Sequence, residues 1–148
     1  MKIFHANGSK ERLFEMMKKV NRLNESLLST EEKDEILDKL IEFVHERLDF
    51  KEEFPEVRLS YDEGVAQSIK SFGQYFPTKN EIVVVALNRN FGDTLRTVVH
   101  ELIHYIQKIK GKLKQNSGET GSNEENEANA LAGVIMREFG KNNPNIFE

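Results

Sequence analysis

The chain contains no cysteine among its 148 residues. Disulfide bonds and thiolate metal sites are therefore excluded, and any metal ion must be held by His, Asp or Glu side chains. Tryptophan is also absent and proline occurs only three times. Of the residues, 38% are hydrophobic and 31% are charged, which is a normal balance for a globular domain large enough to bury a core. The composition predicts one domain covering residues 1–148.

Long apolar runs are missing as well. No stretch is long enough to span a membrane, and Met1–Asn7 lack the apolar segment of a signal peptide. We therefore expect a cytoplasmic protein with no membrane partner. The net charge of -4 gives no general attraction to nucleic acid, so a nucleic-acid partner is not expected. A short lysine cluster, at positions 108, 110, 112 and 114, is typical of a solvated loop.

The N-terminal third has apolar residues at helical spacing, which predicts two helices. The first covers Ser9 to about Leu28. The second begins after Ser29, which with Glu32 forms the pattern of a capping box. Pro55 interrupts this region, so we expect a helical N-terminal extension over residues 1–55.

The middle of the chain has the patterns of three strands. Val57–Tyr61 alternates like a half-buried strand. Ser71–Phe76 and Glu81–Leu87 flank Pro77–Asn80, which is typical of a hairpin turn. Ile82–Leu87 is apolar on both faces and is expected inside the sheet. These patterns predict a small, mostly antiparallel three-stranded sheet.

Two further helices are expected after the sheet. Asp93 or Thr94 is expected to cap a helix that runs to about Lys110 and ends at Gly111. After a polar loop over 112–123, the last helix is expected from Glu124 to Phe139, closed by Gly140. The predicted order is α-α-β-β-β-α-α, an α+β fold.

The first of these helices contains His100-Glu101-Leu102-Ile103-His104, an HExxH motif. Two His four residues apart lie about 40° apart around a helix, so both rings can reach one ion. Glu101 lies about 100° from His100, close enough to reach a water bound to that ion. The alternative is that both His pack in the core with Glu101 as their partner. That arrangement places three polar groups on an otherwise apolar helix, which is costly, so the motif predicts a Zn²⁺ site with Glu101 as the catalytic base.

A third protein ligand from the chain downstream of the motif must be a carboxylate, because no His follows His104. The downstream candidates are Glu119, Glu124, Glu125, Glu127, Glu138 and Glu148. Three of them open the last helix, where a returning helix would bring its first turn to the metal. Some of these acidic side chains also complement the helix dipole.

Helix geometry separates these three glutamates. Measured around the helix from Ala128, Glu125 lies at about 60° and Glu124 at about -40°, and both face the protein, whereas Glu127 lies at about -100°, on the shoulder. Asn129 follows Glu125 by one turn and can hydrogen-bond a metal ligand. Glu125 is therefore the predicted third ligand, with Glu124 as the alternative and Asn129 as a supporting residue.

The motif together with Glu125-Asn126-Glu127-Ala128-Asn129 resembles the gluzincin clan of zinc peptidases, in which HExxH is followed by a Glu in an E-x-x-A-(D/N) setting. In its short spacing the chain is similar to the ImmA/IrrE-like and minimal gluzincin peptidases of bacteria and phages. The resemblance covers about residues 57–140. It implies a zincin-like fold with a catalytic core over residues 56–140, and zinc-dependent hydrolysis of a peptide or protein substrate. The ligands would be His100, His104 and Glu125.

The resemblance also implies that Phe72–Phe76 belongs to a strand at the rim of the substrate site. Tyr75 on this strand is a candidate donor to the oxyanion, whereas Tyr105 is expected to be a packing residue.

Three other functions remain open. The first is a regulatory or binding protein on the same fold, with little or no peptidase activity and its pocket filled by the loop over 112–123. The second is a protease acting on DNA-associated proteins, with the lysine cluster on nucleic acid. The third is a purely structural zinc site, which should be closed by four protein ligands.

Overall fold

A computed structural model of the chain describes residues 28–69, 71–111 and 122–147. In chain order the elements are α1 (Thr30–Arg47), β1 (Glu56–Ser60), α2 (Glu63–Ser68), β2 (Gly73–Phe76), β3 (Glu81–Val85), α3 (Phe91–Ile109) and α4 (Asn123–Asn142), followed by a 3₁₀ turn at Pro144–Phe147. The described residues thus form an α+β fold, as predicted. The first predicted helix, except for its last residue, and most of the loop over 112–123 lie outside the described residues.

Helix α1 begins where the capping pattern predicts. The Ser29 hydroxyl accepts a hydrogen bond from the Glu32 backbone, and the Glu32 carboxylate accepts one from the Ser29 backbone, each at 3.1 Å. This reciprocal pair satisfies two backbone donors and confirms the capping box. The buried face of α1 belongs to the same hydrophobic cluster as α3 and α4, so this part of the N-terminal region packs directly on the helices that carry the motif.

The sheet is mixed, with the strand order β1-β3-β2. β3 is the central strand and Ile82–Val85 is buried, which confirms its predicted position inside the sheet. β2 pairs antiparallel with β3 through the predicted turn, in which Asn80 has a φ of 49°. The prediction of a mostly antiparallel sheet was wrong for the other pair, because β1 runs parallel to β3. β1 pairs with β3 rather than with its neighbour in sequence, and the alternation of apolar residues carries no information on that choice.

Several element boundaries differ from the sequence predictions. The short helix α2 was not predicted; its N-terminus is capped by Asp62, which accepts from the Val65 backbone. Helix α3 starts earlier than expected because Asn90, not Asp93 or Thr94, is its cap: the Asn90 side chain accepts from the Asp93 backbone at 2.8 Å.

The last helix is longer than predicted at both ends. Ser122 caps α4 by accepting from the Glu125 backbone. Gly140 does not close α4, which continues to Asn142 because buried Phe139 and Gly140 extend its packed face. At the N-terminus the helix begins one residue earlier than predicted, and the Ser122 cap holds the backbone of Glu125 in the first turn.

The core is formed where α3 and α4 pack on each other, on one face of the sheet and on α1. Burying each Leu, Ile or Val side chain in this core contributes about 1.5–3 kcal/mol to the free energy of unfolding. His45 is half-buried at the end of α1: the centroid of its ring lies 4.3 Å from that of Phe54, and its Nδ1 lies 3.0 Å from the Phe50 carbonyl oxygen.

Within the described ranges, no helix combines the length and the apolar character needed to cross a membrane.

Candidate metal centre

The apolar face of α3 determines where the HExxH side chains point. Val98, Val99, Leu102 and Ile103 are buried in the core. Because residues on one helix are separated by about 100° per step, burying this face turns the two histidines of the motif toward α4. His100 and His104 keep 20% and 18% of their side-chain surface exposed. They are thus fixed by the helix while remaining accessible.

Glu125 lies between the two histidines. Its Oε1 is 3.0 Å from His100 Nε2 and its Oε2 is 2.8 Å from His104 Nε2. The ligand atoms of these three residues all lie within 4.8 Å of one another, and they are the only group of three or more His, Cys, Asp or Glu in the described part of the chain that could hold a metal ion. The structure thus brings together the three residues that the sequence predicted as ligands.

Gln107 determines which ring nitrogen of His104 carries a proton. The amide nitrogen of Gln107 donates to the Glu124 carbonyl oxygen at 3.0 Å and to the Glu127 carboxylate at 2.8 Å. Both partners are acceptors only, so the amide oxygen of Gln107 faces His104 Nδ1, at 2.8 Å. This oxygen must accept a hydrogen bond from Nδ1–H. In a neutral His104 ring, Nε2 therefore presents its lone pair to Glu125.

Sequence reasoning missed Gln107, although a signal was present. Gln107 follows His104 by three residues, a spacing that brings two side chains together on a helix. It is only 2% exposed, and a buried amide requires hydrogen-bond partners. Gln107 is a polar residue next to the apolar Ile106, and a polar residue in an apolar stretch of a helix can indicate a buried hydrogen-bond network.

The other two glutamates at the start of α4 support the centre through Gln107. Glu124 contributes its backbone carbonyl, and Glu127 contributes a carboxylate oxygen. Neither belongs to the cluster of potential ligand atoms. Glu127, predicted on the shoulder of the helix, is linked to His104 through Gln107.

Asn129 supports the other histidine. Its side chain is hydrogen-bonded to that of His100. Burial lowers the pKa of His100, and the nearby His104 lowers it further, whereas Glu125 and the hydrogen bond to Asn129 act in the opposite direction. The net direction is downward, which favours the neutral ring that a metal ion requires.

Glu101 is half-buried, next to His100 on α3. Burial is the main cause that raises the pKa of its carboxyl group; Glu125 raises it further and His104 opposes the shift. A carboxyl group whose pKa is raised toward neutrality is better suited to exchange a proton during a reaction than one in water. Its position on α3, one residue after His100, places it beside the cluster.

A cleft of about 400 Å³ opens beside the cluster. Its volume is in the range of small-molecule and peptide pockets. Residues from the start of β2, from α3 and from α4 line it: Ser71, Phe72, Gly73, Arg96, Thr97, His100, Glu101, Asn129 and Ala132. The predicted base and one predicted ligand therefore face the same open space, bordered by an edge strand.

Tyr75 does not reach this cleft. Its hydroxyl donates to the Asn80 side chain at 3.2 Å, and its ring packs against Tyr105 at 5.4 Å. The structure therefore gives no support for Tyr75 as a donor to an oxyanion. Tyr105 also packs against Phe50 and Phe54, in agreement with the packing role predicted for it.

Replacing Gln107 tests the network behind His104. We expect Gln107→Leu to weaken zinc binding about tenfold to a hundredfold, the usual effect of removing a partner of a metal ligand. His104 loses the acceptor that fixes its tautomer, and the Glu127 carboxylate loses a donor. The change is measured as the affinity for zinc in competition with a chelator. Gln67→Leu, on the exposed side of α2, is the matched control, and equal affinities in the two variants would contradict the role of Gln107.

Gly73, the first residue of β2, lies close to Glu101. A Cβ atom at Gly73 would lie 2.8 Å from Glu101 Cγ and 3.0 Å from Thr97 Cγ2. Gly73→Ala should therefore displace Glu101. A misplacement of about 1 Å in a reacting group can cost about a hundredfold in rate.

If the chain hydrolyses peptides with a bound zinc ion, as the HExxH motif predicts, Gly73→Ala should lower the rate of hydrolysis by about tenfold to a hundredfold and leave the zinc content unchanged. The control is Gly64→Ala, which also creates a close contact, 3.0 Å from Asp62 Oδ1, but in α2. Kinetics and zinc content are measured for both. Full activity in Gly73→Ala would show that the contact does not position Glu101.

The comparisons with known proteins add no relative: no family model, curated protein or solved structure matches the chain.

Proposed function

We propose that the chain is a zinc-dependent metallopeptidase of the gluzincin type, with a zincin-like fold. In this proposal His100, His104 and Glu125 hold the zinc ion, and Glu101 is the general base. The support comes from the HExxH motif in the sequence and from the convergence of the three ligand side chains beside an open cleft.

The contact between His104 and Glu125 is the observation that carries the proposal. The hydrogen bond to Gln107 keeps a proton on Nδ1, so in a neutral ring Nε2 and the Glu125 carboxylate would face each other as two acceptors at 2.8 Å. Such a contact is repulsive unless a positive charge lies at this point. A cation held by both atoms supplies that charge. The other source is a proton on the ring, which metal binding would displace.

The donor set fits zinc. Two imidazole nitrogens and one carboxylate oxygen are the protein ligands of many catalytic zinc sites, where a fourth position stays open. With bonds of about 2.0–2.1 Å, the ligand atoms of a tetrahedral zinc site lie about 3.3 Å apart. The two rings lie 3.0 and 2.8 Å from different oxygens of Glu125, slightly less than that separation, and one ligand atom from each of the three residues lies within 4.8 Å of the others. The absence of Cys from the chain is also in keeping with this ligand set.

When bound, zinc polarises the scissile carbonyl group and lowers the pKa of a water molecule. The chain supplies the proton transfers. The Glu101 carboxylate accepts a proton from the attacking water and then delivers it to the amine that leaves. Asn129 and Gln107 hold the two histidine rings in place through their hydrogen bonds. Without these partners the rings would be free to rotate away from the ion.

The position of β2 at the edge of the sheet supports an extended peptide as the substrate. This strand lies at the edge of the sheet, and an edge strand presents backbone donors and acceptors that an extended peptide can pair with. The first residue of β2, Gly73, lies beside Glu101. A peptide paired with this strand would therefore pass the catalytic base.

Metal removal tests the proposal. We expect the purified protein to contain zinc and to hydrolyse denatured casein, to lose both after treatment with a chelator, and to regain both when zinc is added. Its melting temperature should fall on zinc removal, because zinc binding stabilises the folded state alone. Little zinc in the purified protein, with no uptake on addition, would contradict the metal site. Zinc without hydrolysis would favour a binding protein on the same fold.

A further inference from the structure

Two exposed arginines, Arg96 and Arg137, lie near Gly133 of α4. A Cβ atom at Gly133 in α4 would lie 3.2 Å from Nη2 of Arg96 and 3.9 Å from Nη1 of Arg137. These two distances limit the separation of the guanidinium nitrogens to about 7 Å. Arg96 lines the cleft together with His100. We refer to Arg96 and Arg137 as the arginine pair.

Neither arginine of the pair has a carboxylate within ion-pair distance in the described part of the chain, although Arg137 helps to lower the pKa of Glu138 from a longer distance. The ion pairs among those residues involve neither Arg96 nor Arg137. Glu138 follows Arg137 in sequence, but its carboxylate accepts a hydrogen bond from Arg47 at 2.8 Å. Two like charges at this separation repel each other. An anion between them would remove the repulsion, and a carboxylate with one oxygen on each guanidinium spans about this distance.

The position of the pair relative to the metal site follows from the packing of α3 on α4. The two helices are antiparallel and meet in steps of four residues: His104 contacts Glu125, His100 contacts Asn129, and Arg96 lies over Gly133. Each step of four residues is about 6 Å along a helix. The arginine pair is thus one step beyond His100. An extended peptide advances about 3.3 Å per residue, so this distance corresponds to two or three residues of substrate.

Gly133 creates the space for this arrangement. The Arg96 side chain crosses over Gly133, where any larger residue would meet its guanidinium group at 3.2 Å. The glycine therefore lets Arg96 lie against α4 at the edge of the cleft.

We propose that the arginine pair binds a carboxylate group of the substrate, two or three residues from the scissile bond. This inference rests on the proposed peptidase function and extends it to the substrate class: peptides with an acidic side chain, or with their C-terminal carboxylate, at that distance. Arg96 and Arg137 are then specificity residues that do not take part in the chemical step.

A pair of small probes tests the binding without turnover. Suberic acid monohydroxamate carries a zinc-chelating group at one end and a carboxylate at the other, over a comparable distance. Its primary amide has the same length without the charge. Calorimetry on the zinc-loaded protein should give an affinity for the acid about tenfold higher than for the amide, the effect of a charge-assisted hydrogen bond.

The variants locate the preference. In Arg96→Gln the ratio of the two affinities should fall to about one, and in Arg137→Gln it should fall part of the way. Arg58→Gln is the matched control, since Arg58 lies on β1 and pairs with Glu81, and its ratio should equal that of the wild type. Equal affinities of the acid and the amide for the wild type would overturn this inference but would leave the proposed metal site intact. If neither probe binds, the metal site is contradicted, and the inference falls with it.

Cleavage of a peptide library derived from a proteome distinguishes the two kinds of carboxylate, an acidic side chain and the C-terminus of the peptide. Asp or Glu at one fixed position, two or three residues from internal cuts, indicates an acidic side chain. Cuts confined to the last two or three residues of each peptide indicate the C-terminal carboxylate. Cuts with neither feature would contradict the role of the arginine pair.

Discussion

Glu125→Ala is expected to lose zinc almost completely. Glu125 lies 3.0 Å from His100 Nε2 and 2.8 Å from His104 Nε2, so its removal takes away the proposed third ligand and leaves only the two histidines. Removing a partner behind a ligand costs about tenfold to a hundredfold in affinity, and removing the ligand itself should cost more. The measurement is the dissociation constant for zinc, determined by competition with a chelator of known affinity.

The neighbouring glutamates provide the controls. Glu124 contributes only its backbone to the network, so Glu124→Ala should bind zinc like the wild type. Glu127 accepts a hydrogen bond from Gln107, so Glu127→Ala should weaken zinc by less than the roughly tenfold lower limit for a direct partner of a ligand. Full zinc occupancy in Glu125→Ala, or a larger loss in Glu124→Ala, would show that the ligand is a different glutamate.

Glu101→Gln is expected to separate catalysis from metal binding. The amide has nearly the shape of the carboxyl group but cannot accept the proton, so hydrolysis should fall by about a hundredfold to ten-thousandfold, the usual contribution of a general base. The zinc content should stay that of the wild type, because Glu101 is not among the three potential ligands. Both quantities are measured on the same preparation.

Glu46→Gln is the matched control for this change. Glu46 is exposed near the end of α1, and the substitution removes the same charge far from the cleft in sequence and in fold. It should leave both zinc and hydrolysis unchanged. A Glu101→Gln protein that hydrolyses peptides as fast as the wild type would contradict the peptidase assignment even with zinc bound.

The sequence was most informative where helical geometry decides the outcome. The angle between residues of one helix is fixed, so the face shared by His100 and His104 could be predicted, as could the orientation of Glu125 relative to Glu124 and Glu127. The structure places these side chains accordingly. That they bind a metal remains a prediction.

Contacts between different helices and strands were harder to predict from the sequence. The hydrogen bonds from Gln107 to the start of α4 depend on how far α4 is shifted along α3, and the periodicity of either helix alone contains no such information. The same holds for Arg96 over Gly133 and for the parallel pairing of β1 with β3. Helix α2 was missed for another reason: with six residues and no buried side chain, it has no apolar stripe that could be recognised.

The proposed peptidase activity is tested most directly by identifying the peptide termini that the protein generates. A cell lysate is incubated with zinc-loaded wild type or with zinc-loaded Glu101→Gln, and the new N-termini are identified by mass spectrometry. We predict a set of new termini with the wild type that is absent with Glu101→Gln and absent when a chelator is added to the wild type. The same termini in both samples, or no new termini from a wild-type protein with full zinc content, would contradict the proposal that this chain is a metallopeptidase.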